Sequence, residues 1–136
     1  MKYITGIYAL NLPCALETCG DWHTSALKWE NVTLKDSKET LFKEWGIETG
    51  KVIPEHEGLY NVANHIRALL DLLIDGKFGT AQGMKEDFIC NEKYTCEVMD
   101  KVWCMRNLFN WEQIDRFMEK EYLMTWVEYK KERINK

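Results

Sequence analysis

Residues 61–75 read NVANHIRALLDLLID. Val62, Ile66, Leu69, Leu70 and Leu73 recur at helical spacing and make one apolar stripe, and Asn64, Arg67, Asp71 and Asp75 fall on the opposite side. Asn61 can cap the start and Gly76 follows the end, so the spacing predicts an amphipathic core helix over the whole segment. The fold class then depends on what flanks it.

Upstream the signals are extended. Residues 2–10 (KYITGIYAL) are β-branched and aromatic on both faces, the pattern of an interior strand covered on two sides, and Pro13 ends it. Met1-Lys2 and the apolar run behind it resemble a signal peptide. Gly6 and Asn11 interrupt that run, however, and Asn11-Leu12-Pro13 is a poor cleavage site, so the strand is preferred. Residues 24–29 can form one or two helical turns capped by Asp21 or Thr24, and residues 31–34 a second strand. Residues 37–45 predict a short helix from Ser37 to Gly46, and residues 47–53 a hairpin or extended loop around Thr49-Gly50, closed by Pro54.

Downstream the signals are helical. A short helix over residues 78–83 and an extended piece over 88–90 come first. A helix over 95–106 follows, capped by Thr95 and striped with Val98, Met99, Val102 and Trp103. The short link 107–110 implies antiparallel neighbours. Residues 110–133 predict one long helix, with a capping box between Asn110 and Gln113 and a staple between Phe109 and Ile114. Its second half is apolar around most of its circumference, through Tyr122, Leu123, Met124, Trp126, Val127 and Tyr129. Such a helix runs through the domain or meets another chain. Residues 130–136 are expected to fray. The result is an α+β protein: one domain over 1–136, a small antiparallel N-terminal sheet in a strand- and loop-rich part (1–55), and a mainly helical part (56–136).

The 136 residues suffice for one real core, and 46% are hydrophobic. A net charge of −4 argues against nucleic acid and membrane surfaces, which select excess Lys and Arg. No segment reaches the ~18 apolar residues of a membrane span. Five cysteines cannot all pair within one chain, which predicts a reduced, cytoplasmic protein. Six tryptophans exceed what a core of this size absorbs, so some rings are expected at a contact surface.

Residues 12–29 (LPCALETCGDWHTSALKW) concentrate the chemistry. Cys14, Cys19 and His23, with His56 as fourth ligand, form a candidate zinc set. The plainer reading makes the cysteines small buried hydrophobes. Cys19 with Asp21 and His23 also suggests a nucleophile, for which His56 or His65 is the better base because catalytic Cys and His usually come from distant segments. Asp21, His23, Glu55 and His56 have the residue types of a metal-dependent hydrolase or nuclease. Asn64, His65 and Arg67 can line a pocket from the central helix. Trp22, in a polar Gly-Asp turn, is a candidate contact hot spot. Cys90, Cys96 and Cys104 are spread over a loop and a helix, with Cys104 near the helix stripe and expected in the core. Phosphate-loop, dinucleotide, zinc-protease, serine-hydrolase and EF-hand signatures are absent.

LPCALETCGDWH at residues 12–23 and NVANHIRALLDLL at residues 61–73 resemble small uncharacterised bacterial proteins carried near mobile elements or defence genes. That resemblance implies a class and brings no activity with it. The expectation is a non-catalytic, intracellular protein-binding module of the antitoxin, anti-defence inhibitor or accessory-subunit type. It would contact another protein through Trp22 and its loop, or self-associate through the C-terminal helix. The alternative is a small metal- or cysteine-dependent enzyme built on residues 14–23 with Glu55 and His56.

Overall fold

In the computed structural model, which describes residues 1–134, strand β1 (Lys2–Thr5) lies at the centre of a four-stranded sheet. On one side it pairs antiparallel with β2 (Thr33–Asp36), Lys2 standing opposite Asp36. On the other it pairs with β4 (Tyr60–Ala63), Ile4 opposite Val62, and β3 (Ile47–Lys51) completes the order β2-β1-β4-β3 antiparallel to β4. The fold is α+β, with most of its helix in the C-terminal half.

Three expectations about this sheet are corrected. The β1–β4 pair is parallel, so the sheet is mixed. Both central strands turn directly into a helix on the same side, β1 into α1 (Gly6–Leu10) and β4 into α2 (His65–Ile74), and the two helices pack together. The strand expected over 2–10 therefore stops at Thr5, where Gly6 takes a φ of +71° that redirects the chain. In addition, β4 lies beyond residue 55, so the strand-rich part reaches into the segment expected to be helical.

The predicted helix over 61–75 starts later and sits deeper. Asn61 and Val62 belong to β4, and Asn64 is the cap, its Oδ1 accepting from the Arg67 amide at 2.8 Å. Every residue from His65 to Leu73 is buried. Ile66, Leu69, Leu70 and Leu73 enter a core completed by Val98, Met99 and Val102 of α4 (Thr95–Trp103) and by Ile114 and Met118 of α5 (Trp111–Tyr122). On the sheet side Ala68 packs with Tyr3, Ile4, Tyr8 and Val62. Of the polar side of the helix, Asn64, Arg67 and Asp71 are therefore internal and Asp75 is exposed.

Arg67 explains why residues 37–46 fail to form the expected helix. Its Nη1 donates to the Lys43 carbonyl at 2.9 Å and to the Trp45 carbonyl, and its Nη2 to Thr40 Oγ1 at 2.9 Å. These bonds hold the segment in an open loop fastened to α2. Only a 3₁₀ turn, Ser37–Glu39, remains, capped by Asp36, and Lys43 sits at φ +53°. Gly46 passes so close to α2 that a Cβ there would lie 2.8 Å from Arg67 Cβ.

At the C-terminal end, α3 (Phe78–Ala81) is followed by a wide π-helical turn, Met84–Ile89, where an extended piece was expected. The long helix expected over 110–133 is two, α5 and α6 (Met124–Ile134), broken at Leu123 with φ +54°. The break folds Trp126 inward, where its Nε1 donates to Asp115 Oδ1 at 2.8 Å and its ring stacks on Tyr129. Tyr122 is buried as well. The apolar circumference that suggested a second chain is thus used in part inside the fold, while Leu123 and Met124 remain exposed. Asn110 does not cap its own helix. Its Nδ2 reaches the Leu73 and Ile74 carbonyls at 3.2 and 3.3 Å and closes the end of α2, while Phe109 is 99% exposed and staples nothing. Lys130 and Arg133, expected to fray, pair with Asp115 and Asp100 at 2.7 and 2.8 Å, and Asn135 and Lys136 lie outside the described residues. No described helix is long and apolar enough to cross a membrane.

Candidate functional site

The chain between α1 and the turn at Thr24 crosses the N-terminal end of α2 without regular structure, so other segments must hold it. Cys19 forms a disulfide with Cys90, Cα to Cα 6.0 Å. The Gly20 amide donates to the Phe88 carbonyl at 2.9 Å and the Asp21 amide to the Leu10 carbonyl at 3.0 Å. Glu17 is tied to the same neighbouring segment, its amide donating to the Tyr94 hydroxyl at 2.9 Å and its carbonyl accepting from Asn91 Nδ2 at 3.0 Å.

The disulfide corrects two expectations. The chain is not fully reduced, and Cys19 is no zinc ligand or nucleophile. The remaining members of the zinc set are scattered. His23 is exposed and its Nδ1 pairs with Asp21 Oδ1 at 2.6 Å. His56 stacks on the Trp29 ring, centroids 3.9 Å apart. Glu55 is an exposed loop residue at φ +67°. Among the described residues no group of three or more His, Cys, Asp or Glu side chains is close enough to hold a metal ion. The donor set thus does not fit zinc, and the hydrolase site joining Asp21 and His23 to Glu55 and His56 is not assembled. Cys96 and Cys104 are exposed thiols, so the expectation of a core Cys104 is also corrected.

Asn64 and Arg67 serve the fold rather than a pocket. All five guanidinium N–H groups of Arg67 are committed: Nε to Asp71 Oδ1 at 3.1 Å, and the others to Lys43, Trp45, Tyr3 and Thr40 oxygens. Asp71 Oδ2 accepts from the Tyr3 and Thr5 hydroxyls, each at 2.7 Å. Burial, together with the Asp71 charge and hydrogen bond, pushes the Tyr3 hydroxyl well above its ordinary range.

His65 is where sequence and structure meet most usefully. Its ring is buried, and Nε2 lies 2.6 Å from the Leu12 carbonyl. A carbonyl only accepts, so Nε2 carries a proton. Nδ1 lies 2.7 Å from Thr18 Oγ1, and the same hydroxyl is 3.6 Å from Cys14 Sγ. Gly20 lets the loop approach this ring: a Cβ there would be 2.7 Å from His65 Cε1 and 2.9 Å from the Leu10 carbonyl oxygen. Burial pushes the Cys14 thiol up, but hydrogen bonds from His65 and Thr18 outweigh it and the net shift is down. Burial pushes the His65 imidazole down, but hydrogen bonding to Cys14 and Leu12 and the Cys14 and Glu48 charges carry it up. The pairing of Cys14 with His65, 51 positions apart, was not read from the sequence. The sequence reading offered His56 or His65 as a distant base for Cys19, which the disulfide removes.

Trp22 is the apolar member of the site. It is 62% exposed and held at φ +61°. Its neighbours are fixed: Asn11 Nδ2 donates to Asp21 Oδ2 at 3.2 Å, Asn11 Oδ1 accepts from the His23 amide, and the His23 carbonyl accepts from the Ala26 amide at 2.9 Å. Trp29, further along the segment, is half-covered by Tyr8, His56 and Tyr60. Clefts occur elsewhere on the surface, the one of about 440 Å³ between α3 and α5 lined by Phe78, Gln82, Gln113 and Phe117. Comparisons with protein-family models, with curated proteins and with solved structures find no match.

Proposed function

We propose that this chain is a non-catalytic protein-binding module whose docking element is the Trp22 turn, acting in the manner of an antitoxin, an anti-defence inhibitor or an accessory subunit. One observation carries the reading. A large apolar ring is displayed to solvent from a left-handed backbone conformation, on a turn anchored on both sides by hydrogen bonds and a disulfide. Left-handed backbone costs a residue with a Cβ roughly 1–2 kcal/mol, and an exposed indole recovers little of that by burial. Conformations of this kind collect at ligand-binding sites, and rigid tryptophans are preferred anchors of protein interfaces. We take the partner to be another protein, met at the Trp22 turn, since on the Tyr122–Tyr129 face expected to mediate self-association Tyr122 and Trp126 are buried in their own chain and only Leu123 and Met124 stand well exposed.

The cytoplasm is the compartment we propose, supported by three free thiols, two of them exposed, which persist best under reducing conditions. The Cys19–Cys90 bond is then one whose formation follows the redox state of the cell.

The test compares three tagged chains produced in their native cell, wild type, Trp22→Ala and Phe109→Ala, by affinity capture and mass spectrometry. The reading requires a protein retained by the wild type and by Phe109→Ala and lost from Trp22→Ala. Equal capture by all three would overturn it.

A further inference from the structure

The geometry points to a second site on the same loop: Cys14, linked to His65 through the Thr18 hydroxyl, is a nucleophilic thiol that exchanges with small disulfides and is thereby a reversible modification site. The inference is independent of the docking role of Trp22. Three observations support it. First, the base is preset. The Leu12 carbonyl fixes the His65 Nε2 proton, so Nδ1 of the neutral ring accepts from the Thr18 hydroxyl, whose oxygen in turn faces Cys14 Sγ. Second, the ring is buried while Cys14 is half-buried, so the histidine meets reagents only through the thiol and hydroxyl in front of it. Third, there is room: Leu12 and Pro13, next to Cys14 in the chain, line a cleft of about 260 Å³ with Lys51, Ile53 and Pro54.

The step balances without further reagents. The Cys14 Sγ–H bond breaks as its proton passes to Thr18 Oγ1 while that hydroxyl gives its own proton to His65 Nδ1, leaving a hydroxyl that can donate to the thiolate. Sγ attacks one sulfur of the small disulfide, a new S–S bond forms, and the leaving thiolate takes up the proton. The disulfide is reduced by half to a free thiol and Cys14 is oxidised to the mixed disulfide. The charged groups around the pair are few: Glu48 of β3, whose Oε2 accepts from the Ala15 amide at 2.8 Å, and Lys51, which pairs with Glu48 at 3.1 Å.

The test treats the native protein, Cys19–Cys90 intact, with the neutral probe 2-hydroxyethyl disulfide from pH 5.5 to 9. Adducts are located by peptide mapping, and the exposed Cys96 and Cys104 serve as internal references in the same sample. An unperturbed thiol is only about 1% ionised at pH 6.5. Allowing for the lower nucleophilicity of a stabilised thiolate, Cys14 should react about tenfold faster than either reference there. Its rate profile should bend at a pH below the ~8.5 of an ordinary thiol. Thr18→Val should lower the Cys14 rate and shift its bend upward, and His65→Gln should bring Cys14 down to the references. If His65→Gln does not fold, the wild-type ratio and Thr18→Val decide. Cys14 reacting no faster than Cys96 and Cys104 at pH 6.5, or a profile that Thr18→Val leaves unmoved, overturns the proposal.

Discussion

Arg67 and Asp71 stand one turn apart on α2, both fully buried, with Nε donating to Oδ1 at 3.1 Å. Their remaining bonds reach Tyr3 and Thr5 of β1 and the loop over residues 40–46, so one ion pair joins helix, sheet and loop. Removing one partner of such a pair strands a charge without solvent. Asp71→Ala should therefore cost about 3–5 kcal/mol, read by urea denaturation. Asp71→Asn, which keeps an oxygen for the Tyr3 and Thr5 hydroxyls, should cost less. A loss under about 1 kcal/mol for Asp71→Ala would show that water reaches the site and that the network is not structural.

The Cys19–Cys90 bond closes a long stretch of chain, 71 positions apart, and ties the irregular loop to the turn before α4. Cys19→Ser, or reduction of the wild type, should lower stability by about 2–4 kcal/mol. The loop should open first, so amide exchange at Gly20 and Asp21 should accelerate more than at Leu69 or Leu70. Equal acceleration everywhere would mean that the bond supports the whole fold rather than the loop.

The α+β class was legible because the strand signals precede the helical ones, and α2 because its stripe runs unbroken from Ile66 to Leu73. Its polar face misled because periodicity reports which residues differ, not whether the second face meets water. Arg67 and Asp71 were placed opposite the stripe, without any sign that each is the other's buried partner. The same blindness cost the helix over 37–45, whose carbonyls go to a guanidinium more than twenty positions away, and the long C-terminal helix, where only the burial of Trp126 accounts for a left-handed Leu123. At the site, residues 12–23 were identified as the place, since Cys, Gly-Asp, Trp and His crowd a turn. The partners were not, because Cys90 and His65 are remote in sequence and an odd cysteine count argued against any bridge. Spacing inside the loop suggested Cys19 with His23, whereas the fold gives Cys19 to Cys90 and Cys14 to His65.

Gly20 lies against His65 with no room for a side chain. A side chain there would meet both the imidazole and a backbone oxygen, at a φ of +72° that only glycine adopts cheaply. Gly20→Ala should destabilise by about 2 kcal/mol or more, since strain and overlap act together. By pushing the ring away it should also slow alkylation of Cys14 at pH 6.5 relative to Cys104. An alanine variant as stable as wild type would mean that the loop stands off the helix in solution.

Opposite shifts on Cys14 and His65 give a pH dependence of definite sign. The lowered thiol adds stability that is fully present above its unfolded value and lost as pH falls through its folded value. The raised imidazole adds stability that is fully present below its unfolded value and lost as pH rises through its folded value. The two contributions therefore run oppositely with pH, the Cys14 one growing and the His65 one shrinking as pH rises. Titration of the native chain and of the chain in urea, followed by NMR at the His65 ring and by thiolate absorbance at Cys14, should place the native imidazole above its unfolded counterpart and the native thiol below its own. A native imidazole at or below its unfolded value, or a native thiol at or above its own, would mean that the pair is not coupled in solution.

Trp22 separates stability from display. At φ +61° any residue with a Cβ is strained and glycine is not. Trp22→Ala and Trp22→Gly both remove the indole, so their comparison isolates the backbone. Glycine gains relief of the left-handed strain, worth roughly 1–2 kcal/mol, and loses roughly 0.5–1 kcal/mol through the freer unfolded chain. Trp22→Gly should therefore be about 0.5–1 kcal/mol more stable than Trp22→Ala, the reverse of the order in a helix or strand. Both should lose the captured partner to the same extent, because the ring and not the backbone makes the contact. If alanine is the more stable of the two, the turn relaxes out of the left-handed region in solution, and the argument that strain is maintained to present Trp22 fails. If glycine is the more stable but still captures the partner, the turn is rigid as described and the docking surface lies elsewhere.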